Sequence, residues 1–203
     1  MSKIDYKKEY KELYNPSAKE VSFVDVPKFN YLMVDGKGDP KTSKEFKEAI
    51  ETLYPVAYSI KFDIKKNESK DFGVMPLEGL WWAENVRDFD PESGNRNNWQ
   101  WTLMIMQPEL VSEKHFQRAL EAVEKKNLPA ITKIRFESLD EGTSTQIMHI
   151  GPFSEEGDNI KKIHQAIWDK KGSENGEHHE IYLSDMRKVA PSKMKTVLRQ
   201  PYR

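Results

Sequence analysis

Short apolar runs of the chain follow a period of two residues, which is typical of β-strands. The segment "NWQWTLMIMQP" shows this most clearly, because apolar residues occupy both of its alternating sets, so both faces of the strand should be buried. Further extended segments are predicted over "VDVPKFNYLMVDGKGDP", "PLEGLWWAE", "ITKIRFESLDEG", "TSTQIMHIGPF", "HHEIYLSD" and "MKTVLRQPYR".

Other segments repeat their apolar residues every three to four positions, which is the period of an amphipathic helix. Three helices of this kind are predicted, over 44–61, 112–126 and "EEGDNIKKIHQAIWDKK". Pro55 lies inside the first of them and predicts a kink or a break there. Residues 4–14 fit either a short helix or an extended arm.

The order of these elements repeats, because each half of the chain runs strand, helix, strand, strand. In both "NYLMVDGKGDP" and "TQIMHIGPF", an apolar strand ends at glycine and proline before a helix. No linker rich in Pro, Gly or Ser separates the halves, so we predict one compact α+β domain. Its predicted parts are an N-terminal arm (1–19) and a single domain (20–203), the latter made of module one (about 20–108), a bridging helix (112–126) and module two (about 130–203).

Composition narrows the functional class. The 203 residues include 32% charged residues with a formal net charge of −1, whereas nucleic-acid-binding proteins normally show a basic excess. The absence of cysteine excludes disulfides, thiolate metal sites and a cysteine nucleophile. The chain begins with a polar segment unlike a signal peptide, and no apolar run approaches the ~20 residues of a membrane span. We therefore expect a cytoplasmic protein with neither a nucleic acid nor a membrane as partner.

Four of the five tryptophans lie within residues 80–101. They belong either to a packed core or to the wall of a pocket, since large aromatic side chains serve both. Trp81 and Trp82 are neighbours in a strand and point to opposite faces, so at most one of them should contact a ligand. Trp99 and Trp101 share a face, so alternation predicts that both or neither do.

Glu180 stands in "GEHHEIYLSD", and a strand over 179–183 places it on one face with Tyr182. It could be a solvated charge, a metal ligand or the working carboxylate of an apolar pocket. The adjacent His178 and His179 point to opposite faces and cannot both join Glu180 around one ion. We therefore predict no metal and no organic cofactor, and we expect His178 at the surface.

The tail "HHEIYLSDMRKVAPSKMKTVLRQP", the segment "VDVPKFNYLMVDGKGDP" and "EGLWW" together resemble the GyrI-like small-molecule-binding family, over roughly residues 20–203. This resemblance implies two β-α-β-β modules in pseudo-two-fold tandem with a ligand cleft between them. The same domain forms the drug-sensing half of several multidrug transcription activators, where a carboxylate at the position of Glu180 binds cationic drugs. Similar stand-alone proteins hydrolyse cyclopropane-bearing DNA-alkylating natural products. The residues before Glu20 are too few for a helix-turn-helix.

On this basis the chain is expected to bind a hydrophobic or aromatic small molecule, and two functions stay open. In a hydrolase, Glu180 would take a proton from the attacking water, and Tyr182 would orient that water or donate to the substrate oxygen. In a non-catalytic drug sponge or sensor, the carboxylate would only offset a bound cation. The expected cleft walls are Trp81, Trp82, Trp99 and Trp101, completed by Tyr31 and Met148. Composition does not favour a third possibility, a protein that modulates DNA gyrase, because it shows no acidic, DNA-mimicking surface.

Overall fold

The computed structural model of the protein describes residues 3–85, 95–185 and 188–203, so most of the polar segment between "PLEGLWWAE" and "NWQWTLMIMQP" lies outside them. Its helices are α1 (Tyr6–Glu9), α2 (Lys11–Tyr14), α3 (Lys44–Asn67), α4 (Glu113–Val123) and α5 (Gly157–Asp169). Its strands are β1 (Ser22–Val26), β2 (Phe29–Lys37), β3 (Leu77–Trp82), β4 (Gln100–Gln107), β5 (Arg135–Leu139), β6 (Gly142–Ile150), β7 (His178–Tyr182) and β8 (Lys195–Pro201). None of the described helices is long and apolar enough to cross a membrane.

The eight strands form one antiparallel sheet in the order β1-β6-β8-β7-β3-β4-β2-β5. The predicted α+β class is therefore confirmed. In chain order, β1 to β4 of the first half correspond to β5 to β8 of the second half. Exchanging each strand for its counterpart gives the same strand order read from the opposite edge of the sheet. Strands β3 and β7 meet at the centre, and the two edge strands are exchanged between halves, because β1 pairs with β6 and β5 pairs with β2.

Two long helices cover one face of the sheet, which we call the helix face. Phe46 of α3 packs on the rings of Trp81 and Trp101, and Ile163 of α5 packs with Ile147 and Leu198. Helix α4, predicted to bridge the modules, packs against α3. Helix α3 contacts β2 and β4, and α5 contacts β6 and β8. The central strands β3 and β7 therefore lie between the two helices.

Helix α3 continues through Pro55 to Asn67, so the predicted end near residue 61 was wrong. A proline removes one backbone N–H and leaves only the carbonyl four residues earlier without its usual partner. On either side of it, Leu53, Val56 and Ile60 are fully buried against the sheet. Their burial favours the helical conformation by more than the single lost hydrogen bond opposes it.

The N-terminal arm covers the opposite face, which we call the arm face, through a buried ionic cluster. Tyr14 Oη donates to Glu78 (3.0 Å), whose other oxygen lies 3.0 Å from Nε2 of His179. Nδ1 of His179 lies 2.9 Å from Glu141, which also accepts from Arg199 (3.0 Å). Arg199 in turn donates to the carbonyl oxygen of Leu13 in α2. The cluster therefore ties the arm to the sheet.

The ionic cluster contains two acidic side chains, Glu78 and Glu141, and two basic ones, His179 and Arg199. Burial acts to lower the pKa of His179, but the charge and hydrogen bond of Glu141, helped by Glu78, raise it to about 9. Burial acts to raise the pKa of Glu141, but the charges of His179 and Arg199 hold it at about 2. Each buried charge therefore faces an opposite one, as burial requires.

Candidate functional site

Strand β7 carries the predicted carboxylate–tyrosine pair at the centre of the sheet. Glu180 lies opposite Gly79 and Tyr182 opposite Leu77, both on β3. Directly paired residues of antiparallel strands share a face. The side chains of Glu180 and Tyr182 therefore lie together on the helix face, as the alternation predicted.

A hydrogen-bonded chain connects three side chains of β3 and β7. Nε1–H of Trp81 donates to Oη of Tyr182 over 2.8 Å, and Oη donates to Oε2 of Glu180 over 2.7 Å. Burial first, and then the charge of Glu180, raise the pKa of Tyr182 well above its usual value. Tyr182 therefore keeps its proton and directs it to Glu180 rather than to a ligand.

Among the described residues, the carboxyl group of Glu180 is hydrogen-bonded through one oxygen, Oε2. Its second oxygen, Oε1, lies 3.6 Å from Nε2 of His178, which is too long for a hydrogen bond. The side chain of Glu180 is 16% exposed. His178 itself is only 5% exposed, so its predicted surface position was wrong. It is buried because it lies opposite Trp81 on the helix face.

Aromatic rings surround this pair. Trp81 is buried, and its ring lies 5.9 Å from both Phe46 and the partly exposed Trp99. Phe153, which is 38% exposed, packs edge-on against Tyr182 at 5.7 Å. Neither Phe46 nor Phe153 was expected in the site from the sequence. The only sequence signal for Phe153 is its place directly after the Gly-Pro turn that ends β6.

Trp101 lies beneath this group of rings, and Trp82 lies on the other face of the sheet. Trp101 shares the helix face with Trp81 but is fully buried, because it fits under Phe46 and directly against Gly36. Trp99 and Trp101 therefore differ in exposure, although alternation predicted that the two would behave alike. Trp82 follows Trp81 in the strand and lies on the arm face.

Tyr31 and Met148 do not join Glu180. Tyr31 pairs with Met106 and Met148 with Val197, and the register places both pairs on the arm face. Both side chains are also buried, at 1% and 4% exposure. They therefore cannot complete a cleft on the side of the sheet that carries Glu180.

A second carboxyl group, that of Glu156, lies beside Glu180 and was missed from the sequence. It is 4% exposed and occupies the N-cap position of α5. Burial first, and then the charge of Glu180, raise its pKa to about 10. At neutral pH the carboxyl group of Glu156 therefore keeps its proton.

Within 3–85, 95–185 and 188–203, no three His, Asp or Glu side chains are arranged to hold a metal ion. Two surface cavities lie elsewhere on the molecule. One is lined by residues around Asp35 and Lys133, and the other lies between α3 and α4 around Tyr58 and Phe62. Neither cavity is lined by Glu180 or Glu156.

Gly79 fits directly under the hydrogen-bonded chain. A Cβ atom at this position would lie 2.8 Å from Nε1 of Trp81 and 3.1 Å from Oη of Tyr182, closer than van der Waals contact. We expect Gly79→Ala to displace both side chains, to lower the free energy of unfolding by about 1–3 kcal/mol, and to weaken ligand binding. Urea denaturation and ligand titration measure the two effects.

Gly157→Ala is the matched control, because a Cβ atom there would meet nothing within 4 Å. It should leave stability and binding near those of the wild type. If Gly79→Ala is as stable and binds as well as this control, Gly79 does not set the position of Trp81 and Tyr182.

Known proteins resemble this chain over nearly its whole length. The model of the GyrI-like small molecule binding domain matches residues 19–203. An uncharacterized conserved protein from Listeria innocua is 41% identical, with a TM-score of 0.89, over 99% of this chain and 100% of that one. A hydrolase from the same organism, encoded by lin2189, is 39% identical, with a TM-score of 0.87, over 100% of both chains.

The C-terminal domain of EcmrR has the same fold at 12% identity and a TM-score of 0.54, over 91% of this chain and 97% of that one. No curated protein matches the chain.

Proposed function

The chain belongs to the GyrI-like small molecule binding domain family, and on that premise we propose that it binds flat aromatic compounds beside Trp81 and hydrolyses those that carry an electrophilic cyclopropane. The observation that carries the proposal is the carboxylate of Glu180, fixed through Oε2 by Tyr182 and partly exposed among aromatic rings. The similarity to the Listeria hydrolase supports a hydrolytic reaction.

In the proposed reaction, Glu180 accepts a proton from water through Oε1 while Tyr182 holds Oε2. The water oxygen attacks the less hindered carbon of the cyclopropane, and the ring C–C bond breaks. Its electron pair moves through the conjugated ring to the distant carbonyl oxygen. The partly exposed ring of Trp99 stacks against the ligand, with the buried ring of Trp81 packed edge-on against it. These rings exclude bulk water, which strengthens the carboxylate's action as a base.

Incubation of the pure protein with a cyclopropane-bearing aromatic alkylator tests this proposal. Mass spectrometry should detect a product heavier than the alkylator by one water, formed faster than in buffer alone. If the alkylator is recovered unchanged at the rate seen in buffer, the chain is no hydrolase of this class.

A second candidate function is a non-catalytic sponge or sensor for hydrophobic cations. It is favoured by the carboxylate itself, because an anion among aromatic rings suits a bound cation through charge and cation–π attraction. A sponge would bind a cationic dye tightly and would leave the alkylator unchanged.

The hydroxyl of Tyr182 should be needed for either function. Tyr182→Phe keeps the ring but leaves both Nε1 of Trp81 and Oε2 of Glu180 without their partner. We expect the free energy of unfolding to fall by about 1–3 kcal/mol and the turnover number to fall with it, because Glu180 is no longer oriented. Steady-state kinetics and urea denaturation measure these effects. Unchanged turnover would mean that Glu180 is positioned without Tyr182.

A further inference from the structure

Glu156 is a buried acid for which the fold itself gives no explanation. Among the described residues, Oε1 of Glu156 is buried and has no hydrogen-bond partner. A buried polar atom without a partner is costly and rare in native proteins. Such an atom indicates a group that a ligand satisfies.

The surroundings of Glu156 place it at the proposed reaction site. Thr196 of β8 lies opposite Tyr182 of β7, and Glu180 is close enough to act on Glu156 by its charge. The turn that leads into Glu156 contains Phe153, whose ring packs on Tyr182. The acid therefore lies on the α5 side of the same group of side chains.

Among the residues that the structure describes, few titratable groups face Glu156. From β7 they are Glu180 and Tyr182, and both interact with it electrostatically. From β8 it meets the neutral Thr196. On β6, His149 lies opposite Thr196, but its ring nitrogens bond with the carbonyl oxygen of Pro152 and with Asn159.

One effect opposes a neutral Glu156, because the N-terminus of a helix favours a negative charge. Burial and the neighbouring charge of Glu180 outweigh it and keep the pKa of Glu156 raised. Two carboxyl groups that share a site cannot both ionise easily. When environments separate two acids in this way, the neutral one is suited to act as an acid and the ionised one as a base.

We propose that Glu156 is a second catalytic residue, a neutral acid whose O–H group binds the carbonyl oxygen of the substrate and protonates it as Glu180 removes a proton from water. This inference rests on the proposed function and extends it from one carboxyl group to two. The ligand it implies is an uncharged aromatic ketone rather than a cation.

The protons balance within the pair. Before the reaction Glu180 is ionised and Glu156 carries the proton. Water loses a proton to Glu180, the C–O bond forms, the cyclopropane C–C bond breaks, and the oxygen at the far end takes the proton of Glu156 to become a phenol. Glu180 then holds a proton and Glu156 is ionised. Transfer of one proton from Glu180 to Glu156 restores the starting state.

Infrared spectroscopy of the full chain tests the protonation of Glu156 without any turnover. At neutral pH the wild type should show the carbonyl stretch of a protonated carboxylic acid, which Glu156→Gln removes and Glu155→Gln keeps. Glu155 is the matched control, because it is the preceding residue and is exposed. Addition of an unreactive aromatic ketone should shift this band. A missing band, or one that the bound ketone does not move, overturns the proposal.

Kinetics test the acid role. Glu156→Gln should lower the rate of water addition by on the order of 10²-fold or more, with Glu155→Gln unchanged. The loss should be smaller for alkylators whose product phenol is more acidic, because their oxygen needs less help from a proton donor. An equal loss for all alkylators would mark a purely structural role and overturn the proposal, as would no loss at all.

Failure of the proposed hydrolysis and failure of the acid role of Glu156 would give different results. If the wild type adds no water to any alkylator, the proposed hydrolysis fails, while the infrared band and its shift by the ketone still decide whether Glu156 is a neutral donor to the ligand.

Discussion

Replacing Glu180 by glutamine is expected to lower the rate of water addition by on the order of 10²–10⁴-fold. Glutamine keeps the size of the side chain, and its amide oxygen still accepts the hydrogen bond from Tyr182. It has no basic oxygen to take the proton of water. Affinity for a neutral aromatic ligand should change far less, because such a ligand binds mainly by stacking and apolar burial.

The same variant separates the two candidate functions when a neutral alkylator and a cationic dye are compared. In a hydrolase, turnover of the alkylator collapses while its binding persists. In a sponge, affinity for the dye falls and affinity for the neutral compound stays. Glu177→Gln is the control, because Glu177 is an exposed carboxylate just before β7. If Glu180→Gln behaves like this control in both assays, the carboxylate has no role in the site.

The largest loss of stability is expected from Glu141→Gln on the arm face. The substitution removes the negative charge that faces both His179 and Arg199, and the two cations stay buried with too little compensation. Breaking a buried ion pair by removing one partner typically costs about 3–5 kcal/mol. Urea denaturation monitored by tryptophan fluorescence measures the free energy of unfolding.

The pH dependence of this loss follows from two shifted groups. The pKa of His179 is raised from 6.5 to about 9, so its contribution is complete below pH 6.5 and disappears as the pH rises through 9. The pKa of Glu141 is lowered from 4.5 to about 2, so its contribution is complete above pH 4.5 and disappears as the pH falls through 2. The difference between wild type and Glu141→Gln should therefore be largest between pH 4.5 and 6.5.

Glu137→Gln provides the matched control for Glu141→Gln. Glu137 is an exposed carboxylate that pairs with Arg135 at the edge of the sheet. Exposed ion pairs contribute little, so this variant should lose less than about 1 kcal/mol and show little pH dependence. A loss of similar size in both variants would mean that the arm-face cluster does not hold the arm to the sheet.

The helices, the strands and the α+β class could be predicted because apolar residues repeat with one period in helices and another in strands. Alternation over 179–183 was also enough to place Glu180 and Tyr182 on one face. Alternation fixes faces only within one strand, however, and the relation between strands depends on their register. For that reason Tyr31 and Met148 were assigned to the side of Glu180, although they lie on the other face of the sheet.

Burial of charged residues was the part that the sequence could not show. Glu78 and His179 have no local signal that separates them from solvated residues, since their burial depends on partners more than a hundred positions away or on another strand. Glu156 stands in "FSEEGD", a polar turn in which a carboxylate is commonplace. Only the packing of that turn against β7 and β8 distinguishes it from its exposed neighbour Glu155.

The exchange of edge strands between the halves determines when each edge strand can pair during synthesis. Strand β1 leaves the ribosome early, yet its partner β6 begins only at Gly142, more than a hundred residues later. At typical synthesis rates of 5–20 residues per second, β1 waits on the order of ten seconds for its partner. Its fellow edge strand, β5, finds β2 already made. Completion of the sheet is thus postponed until the second half of the polypeptide emerges, and an abortive product that stops before β6 would leave β1 without a place in the fold.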